Sequence, residues 1–163
     1  MRLQVLPGGP DRKARSLNLM LKLIERGKRD PKIRILTSSI IKNCKEGNFK
    51  DEVTAIAFFI KDNIRYQRDP EALETIADAW DTLKLGFGDC DDLVVLASSM
   101  LQSVGVRTRV RVVGRETLSH VLLDYEDKGF WYSLDLARPR EKIFMNKTFP
   151  LDNVIEKKKE ASL

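Results

Sequence analysis

The sequence predicts an α+β fold, with a helical N-terminal half and a cysteine-bearing core helix packed on a small antiparallel β-sheet. Three observations lead there. Apolar residues recur at helical spacing in successive segments as far as Val104. Beyond Gly105 the pattern changes to short extended runs rich in β-branched and aromatic residues. Turn-forming residues then separate those runs at Gly114-Arg115 and at Glu126 to Gly129, as between the strands of a meander.

The start reads as a short extended segment closed by the turn Pro7 to Pro10. A first helix follows, with Leu17, Met20, Leu21 and Ile24 on one side and Gly27 as its stop. Asp30 before Pro31 is an N-cap with proline in the first turn, opening a second helix striped by Ile33, Leu36 and Ile40. Cys44 falls near that stripe and is expected to be buried. A third helix is predicted from Asp51 to Ile64, with Val53, Ile56, Ala57, Ile60 and Ile64 inward. Glu71 to Trp80 is weakly helical in pattern.

Leu85 to Asp89 then brings two glycines just ahead of the most regular helix, which begins at Cys90. Its apolar positions Leu93, Leu96, Ala97, Met100, Leu101 and Val104 make one broad stripe, and Gly105 ends it. Strands are predicted over Val106 to Val113, Ser119 to Tyr125 and Phe130 to Leu136, the last two forming a hairpin. In domain terms, residues 1–50 form a helical extension, 51–140 the core, and 141–163 a C-terminal segment whose polar end, EKKKEASL, is expected to fray.

At 163 residues, 42% hydrophobic and 33% charged, the chain has the composition and length of one globular domain. The net charge of +5 invites an anionic partner. The charges are scattered, however, and no nucleic-acid motif accompanies them, so nucleic acid is not the expected partner. Arg107, Arg109 and Arg111 alternate on one strand face and read as a solvated face. Cys44 and Cys90 sit in contexts too different for a disulfide framework, and the start lacks a basic-then-apolar leader pattern, so a reducing compartment is expected at synthesis. No apolar run approaches the roughly 18 residues of a membrane span, so no membrane partner is expected.

Gly88-Asp89-Cys90-Asp91-Asp92 places a thiol in the first turn of a helix, where unpaired N–H groups and the macrodipole favour an anion. Such a site lowers a cysteine's pKa, and the same N–H groups suit the oxyanion of a tetrahedral intermediate. The three carboxylates would act the other way if they pointed at the sulfur. Their plainer role is capping, with Asp89 as N-cap and Asp92 completing a capping box; a divalent metal is the lesser reading, and no cofactor is implied.

His120 is the chain's one histidine and hence the one candidate base for Cys90 within the subunit. A hairpin closed about Asp127-Lys128 sets His120 directly opposite Asp135, within reach of an imidazole–carboxylate bond. A three-residue loop with Gly129 in a bulge would instead throw the two onto opposite faces. Asp124 is the rival orienter, and an ion pair with Arg138 or Arg140 is the competing use of Asp135.

GDCDDLVVLASSMLQSVGVRTRVRVVG, then SHVLLDY, then WYSLDL, resemble the core motifs of transglutaminase-like, papain-related cysteine enzymes. The resemblance covers roughly residues 51 to 139 and implies Cys90 as nucleophile, His120 as base and Asp135 as orienting acid. The longer stretch with DNIRYQRDPEALETI is similar to members encoded by tailed phages and Mu-like prophages. This implies an enzyme acting in a bacterial host cytoplasm or carried with a virion. The expected activity is thiol-dependent hydrolysis of a protein or peptide amide bond through a thioester. The alternatives are a protein-crosslinking transglutaminase and a phage structural or assembly module that keeps the fold without turnover. Trp80, Phe87 and Trp131 are the aromatics placed to line a groove, and the second oxyanion donor is left open, as is the oligomeric state.

Overall fold

The computed structural model describes residues 4–6, 11–70, 74–114 and 120–148. Its elements run β1 (Gln4–Leu6), α1 (Arg12–Gly27), α2 (Pro31–Ile41), α3 (Phe49–Asn63), β2 (Arg65–Tyr66), β3 (Glu74–Ile76), α4 (Ala79–Leu85) and β4 (Phe87–Gly88). They continue with α5 (Cys90–Ser103), β5 (Thr108–Val113), β6 (His120–Asp127), β7 (Phe130–Leu134), a 3₁₀ turn (Arg140–Lys142) and β8 (Phe144–Thr148). The α+β class is as the sequence predicts.

Helix α5 is the axis of the molecule. Every residue from Asp91 to Leu101 is buried, so it is enclosed rather than one-sided as the stripe suggested. Burying a Leu or Val side chain contributes about 1.5–3 kcal/mol, and Leu93, Val94, Val95, Leu96 and Leu101 all do so here. Helices α1 and α3 and the sheet close around it, and Met20, Leu23, Ile24, Ile33, Val53, Ile56 and Ile60 share one core with Leu123 and Leu134. The N-terminal helices therefore pack into the same core as the rest.

Gly27 ends α1 as expected, but its backbone is not left-handed. A Cβ there would lie 2.2 Å from Ser99 Oγ and 2.6 Å from Ser99 Cβ, so the missing side chain lets α1 and α5 cross closely. Asp30 caps α2 through the N–H of Lys32 with Pro31 in the first turn, as read from sequence. Cys44 follows α2 and is half-buried, not buried.

The large sheet is antiparallel in the order β5-β6-β7-β8. Its fourth strand was not foreseen: Ile143 is fully buried and Phe144–Thr148 pairs with β7, although this stretch reads as polar and proline-punctuated. Two small bridges also escaped the sequence. Glu74–Ile76, inside the weakly helical segment, pairs antiparallel with β1, and β2 pairs parallel with β4. The expected frayed end, residues 149–163, and the Gly114-side turn residues 115–119 lie outside the described residues.

The β6–β7 hairpin closes on Lys128-Gly129, both left-handed at φ 50° and 80°, the requirement of a two-residue hairpin turn. It therefore turns one residue later than expected, and direct partners shift by two: Asp124 opposes Ser133 and Leu123 opposes Leu134. Because side chains alternate with period two, a shift of two preserves the face.

Candidate active site

Three pieces of chain build the site: the β4–α5 junction, the start of β6 and the end of β7. At the junction Asp89 caps α5 through the N–H groups of Asp91 and Asp92, and the Asp92 carboxylate returns a bond to the Asp89 N–H at 3.1 Å. The capping box is the one read from the sequence. It has a consequence for catalysis, since it consumes the Asp91 and Asp92 N–H groups and leaves that of Cys90 outside the box. Asp92 also accepts from the Ala77 N–H at 2.8 Å, tying the segment before α4 to the helix start. Gly88 is required here, because a Cβ would meet Asp92 Cβ at 2.7 Å.

The thiol is partly enclosed, and its hydrogen bond is donated to Asp91 Oδ1 at 3.6 Å. Burial, then the Asp91 carboxylate, push the Cys90 thiol up to about 12; a bond from the Val121 N–H acts in the opposite sense, and Asp89 adds to the rise. The expectation of a lowered thiol pKa is thus overturned. One of the three carboxylates does point at the sulfur, and it adds to the effect of burial. Asp89 itself is pushed up to about 8 by burial and by its neighbours Asp92, Asp91 and Asp69. Asp92 is raised as well, chiefly by burial. The Asp89, Cys90 and Asp91 ligand atoms lie within 4.8 Å of one another, but these groups are already engaged in capping and in the thiol contact.

At the start of β6, His120 Nε2 lies 3.0 Å from both carboxylate oxygens of Asp135, which is buried. Continuing the observed register sets Asp135 opposite Leu122, one diagonal step from the imidazole rather than directly across from it. Asp135 is held by the Ala137 N–H at 3.1 Å and by Arg138 Nε at 3.3 Å, so the competing ion pair coexists with the histidine contact. Lys61, from α3, donates to the Leu136 carbonyl at 2.9 Å and fixes the chain just beyond. The Val121 N–H, next in the chain to His120, is the group directed at the Cys90 sulfur, so the thiol and the His120–Asp135 pair meet at one end of β6.

Asp124, the rival orienter, is fully buried and bound elsewhere. It takes Arg109 Nε at 2.9 Å, Arg111 at 2.6 Å and Ser133 Oγ at 2.7 Å. Arg109 also stacks on Trp131, 4.1 Å from the ring centroid, and Arg107 pairs with Glu126. The expected solvated face therefore holds for Arg107, which is exposed, but not for Arg109 and Arg111, which bind the buried Asp124; Arg109 is 6% exposed and part of an internal ion network. Trp131 is engaged by those guanidinium groups near the hairpin tip, and Trp80 lies under Lys32. Phe87 remains partly exposed, three residues before the thiol.

The sequence profile of the transglutaminase-like superfamily matches residues 35–136, most of the chain. The chain belongs to the transglutaminase-like superfamily. A comparison with curated proteins gives no significant match. Among solved structures, this transglutaminase-like chain resembles a candidate cysteine protease from Cytophaga hutchinsonii, at TM-score 0.57 and 18% identity over 79% of this chain and 46% of that one. It also resembles a candidate protease from Parabacteroides distasonis, at TM-score 0.53 and 17% identity over 83% and 32%. LapG of Legionella pneumophila aligns at TM-score 0.50 and 16% identity over 83% and 86%. At such identities these likenesses show the fold, and the chain spans less than half the length of the first two. No helix among the described residues is long and apolar enough to cross a membrane.

Proposed function

We propose that this transglutaminase-like chain is a thiol-dependent amide-bond hydrolase acting on protein or peptide through Cys90, His120 and Asp135. The observation that carries the reading is the His120–Asp135 pair, 3.0 Å apart at the end of β6 whose Val121 N–H meets the Cys90 sulfur. Since Nε2 is turned to Asp135, Nδ1 is the nitrogen left to receive the thiol proton. A thiol pushed up to about 12 is protonated at neutral pH, so the proton moves to His120 as the sulfur attacks, by general-base catalysis. The attack gives a tetrahedral oxyanion; His120 returns its proton to the leaving nitrogen as the C–N bond breaks, giving a thioester and a free amine, and the neutral His120 then activates the water that resolves the thioester. We further propose a bacterial host cytoplasm or a virion as its place of action, on the sequence resemblance of DNIRYQRDPEALETI alone.

The test is acylation by p-nitrophenyl acetate, followed by nitrophenolate release and by the mass of the Cys90 peptide. Acetylation of Cys90 should vanish in Cys90→Ala and slow by about 10²–10⁴-fold in His120→Ala. Decay in water alone supports hydrolysis, whereas decay that needs an added primary amine would replace it with acyl transfer. One observation favours a second reading, a binding module without turnover: the thiol donates to Asp91 and is pushed up rather than down. That reading predicts a Cys90 that does not acylate and is indifferent to His120.

A further inference from the structure

The hydrolase reading leaves the oxyanion with one donor, the Cys90 N–H, because Asp89 takes those of Asp91 and Asp92. The parallel bridge β2–β4 brings a second group to the same place. Tyr66 is paired with Gly88, and the Gln67 N–H donates to the Gly88 carbonyl at 2.9 Å, which fixes Tyr66 beside the strand that runs into Cys90. Residues in register on parallel strands project to the same side. At Gly88 that side faces Asp92 in the first turn of α5, where a Cβ would contact the Asp92 side chain. The ring of Tyr66 is accordingly half-buried, and Tyr66 and Cys90 both pack against the edge of the core.

The phenol's hydrogen bonding completes the argument. The Arg68 guanidinium acts on the Tyr66 phenol as a hydrogen-bonding cation, and the phenol also feels the charges of Cys90 and Asp89. A guanidinium only donates, so the phenol is the acceptor in that bond and its own proton remains to be given elsewhere. A hydroxyl that accepts from a cation is a strengthened donor.

Resting on the hydrolase reading, we propose that Tyr66 is a catalytic residue, its O–H donating to the oxyanion formed when Cys90 attacks a carbonyl, with Arg68 as the positioning residue. In that step the S–C bond forms, the carbonyl π pair moves to oxygen, and the thiol proton passes to His120. The oxyanion is held by the Tyr66 O–H and the Cys90 N–H. When the pair returns, the bond to the leaving group breaks and His120 gives its proton to the departing nitrogen.

The experiment compares two reactions of the same sulfur in full-length protein. Acylation by p-nitrophenyl acetate passes through an oxyanion, whereas alkylation by iodoacetamide displaces iodide without one. Tyr66→Phe should slow acylation by about 10²–10³-fold, the usual cost of losing one oxyanion donor, and leave the alkylation rate and its pH profile unchanged. Arg68→Gln, an exposed substitution, should slow acylation less and likewise spare alkylation. Acylation of Tyr66→Phe within about two-fold of the parent overturns the proposal, as does a parallel fall in both reactions, which marks a structural role. Failure of the parent reading looks different: the unmutated chain does not acylate, or acylates independently of His120, and that outcome overturns both.

Discussion

Replacing Asp91 by Asn should make Cys90 a better nucleophile. The carboxylate accepts from the thiol at 3.6 Å and is the largest cause after burial of a rise to about 12. From an ordinary thiol near 8.5, that rise corresponds to roughly 4–5 kcal/mol against the thiolate, at about 1.36 kcal/mol for each pKa unit. Burial is the largest cause and Asp91 the next, and about 1–2 kcal/mol is taken for the Asp91 charge. Coulomb's law brackets the same figure: two charges about 4 Å apart interact by about 1 kcal/mol in water and about 4 kcal/mol at an effective dielectric of about 20. Asn keeps the size and a hydrogen-bonding oxygen and removes the charge. The thiol pKa should fall, and at pH 8 the thiolate fraction should rise about 5- to 30-fold. The assay is the pH profile of iodoacetamide alkylation at Cys90 in a Cys44→Ser background, which removes the other free thiol. An unchanged profile would refute the assignment of the Asp91 charge as an opponent of the thiolate.

Asp89 gives the fold an unusual pH response. Its folded-state pKa is raised to about 8, so its contribution to stability is full below the ordinary carboxylic range near 4 and is lost as pH rises toward 8. Thermal midpoints should fall between pH 5.5 and pH 8, and Asp89→Asn, which preserves an N-cap, should flatten that slope; an equal slope in the variant would count against it. Asp124→Ala leaves the buried guanidinium of Arg109 and its neighbour Arg111 without their carboxylate and should cost about 3–5 kcal/mol by urea denaturation. Gly27→Ala forces a Cβ into Ser99 and should cost about 1–3 kcal/mol. Pairing it with Ser99→Gly in a double-mutant cycle should recover part of that loss, and strict additivity would rule out the clash.

The parts of the fold written in local chemistry were legible. Asp30-Pro31, the Asp89–Asp92 box and the helical stripes are decided within a few residues, and the structure places them where the sequence does. What needed partners distant in sequence was not legible. The bridge of β3 to β1 overrides a weak helical pattern, and β8 forms because Ile143 is buried and Phe144–Thr148 finds the free edge of β7. The hairpin shows both sides. Its turn lies one residue later than expected, because Lys128 and Gly129 together adopt the left-handed conformations a two-residue loop needs. Even so, His120 and Asp135 stay on one face, since parity rather than register decides the face. The Asp91 contact and the parallel pairing of Tyr66 with Gly88 carry no sequence signal, because both depend on how the β4–α5 junction is held in three dimensions.

The electrostatics of the junction bear directly on how such a site could work. A preformed thiolate–imidazolium pair wants positive charge around the sulfur. This junction instead sets the Asp91 carboxylate against it, with Asp89 beside it adding negative charge once pH rises toward 8. Capping α5 and holding the Ala77 N–H require Asp89 and Asp92, and Asp91 in the same first turn accepts from the thiol, so the helix that positions the nucleophile also keeps it protonated. The resting sulfur is therefore a neutral thiol shielded from alkylation at neutral pH. In the proposed hydrolase, reactivity is deferred until a carbonyl is seated and the negative charge can leave sulfur for oxygen. Moving the charge from sulfur to a carbonyl oxygen relieves the repulsion from Asp91 only if a donor awaits it there, and the Cys90 N–H is the first-turn donor that the capping box leaves outside. On this argument the acidic cap and the oxyanion donors are complementary: the first disfavours the thiolate in the ground state, and the second favours the transition state that consumes it.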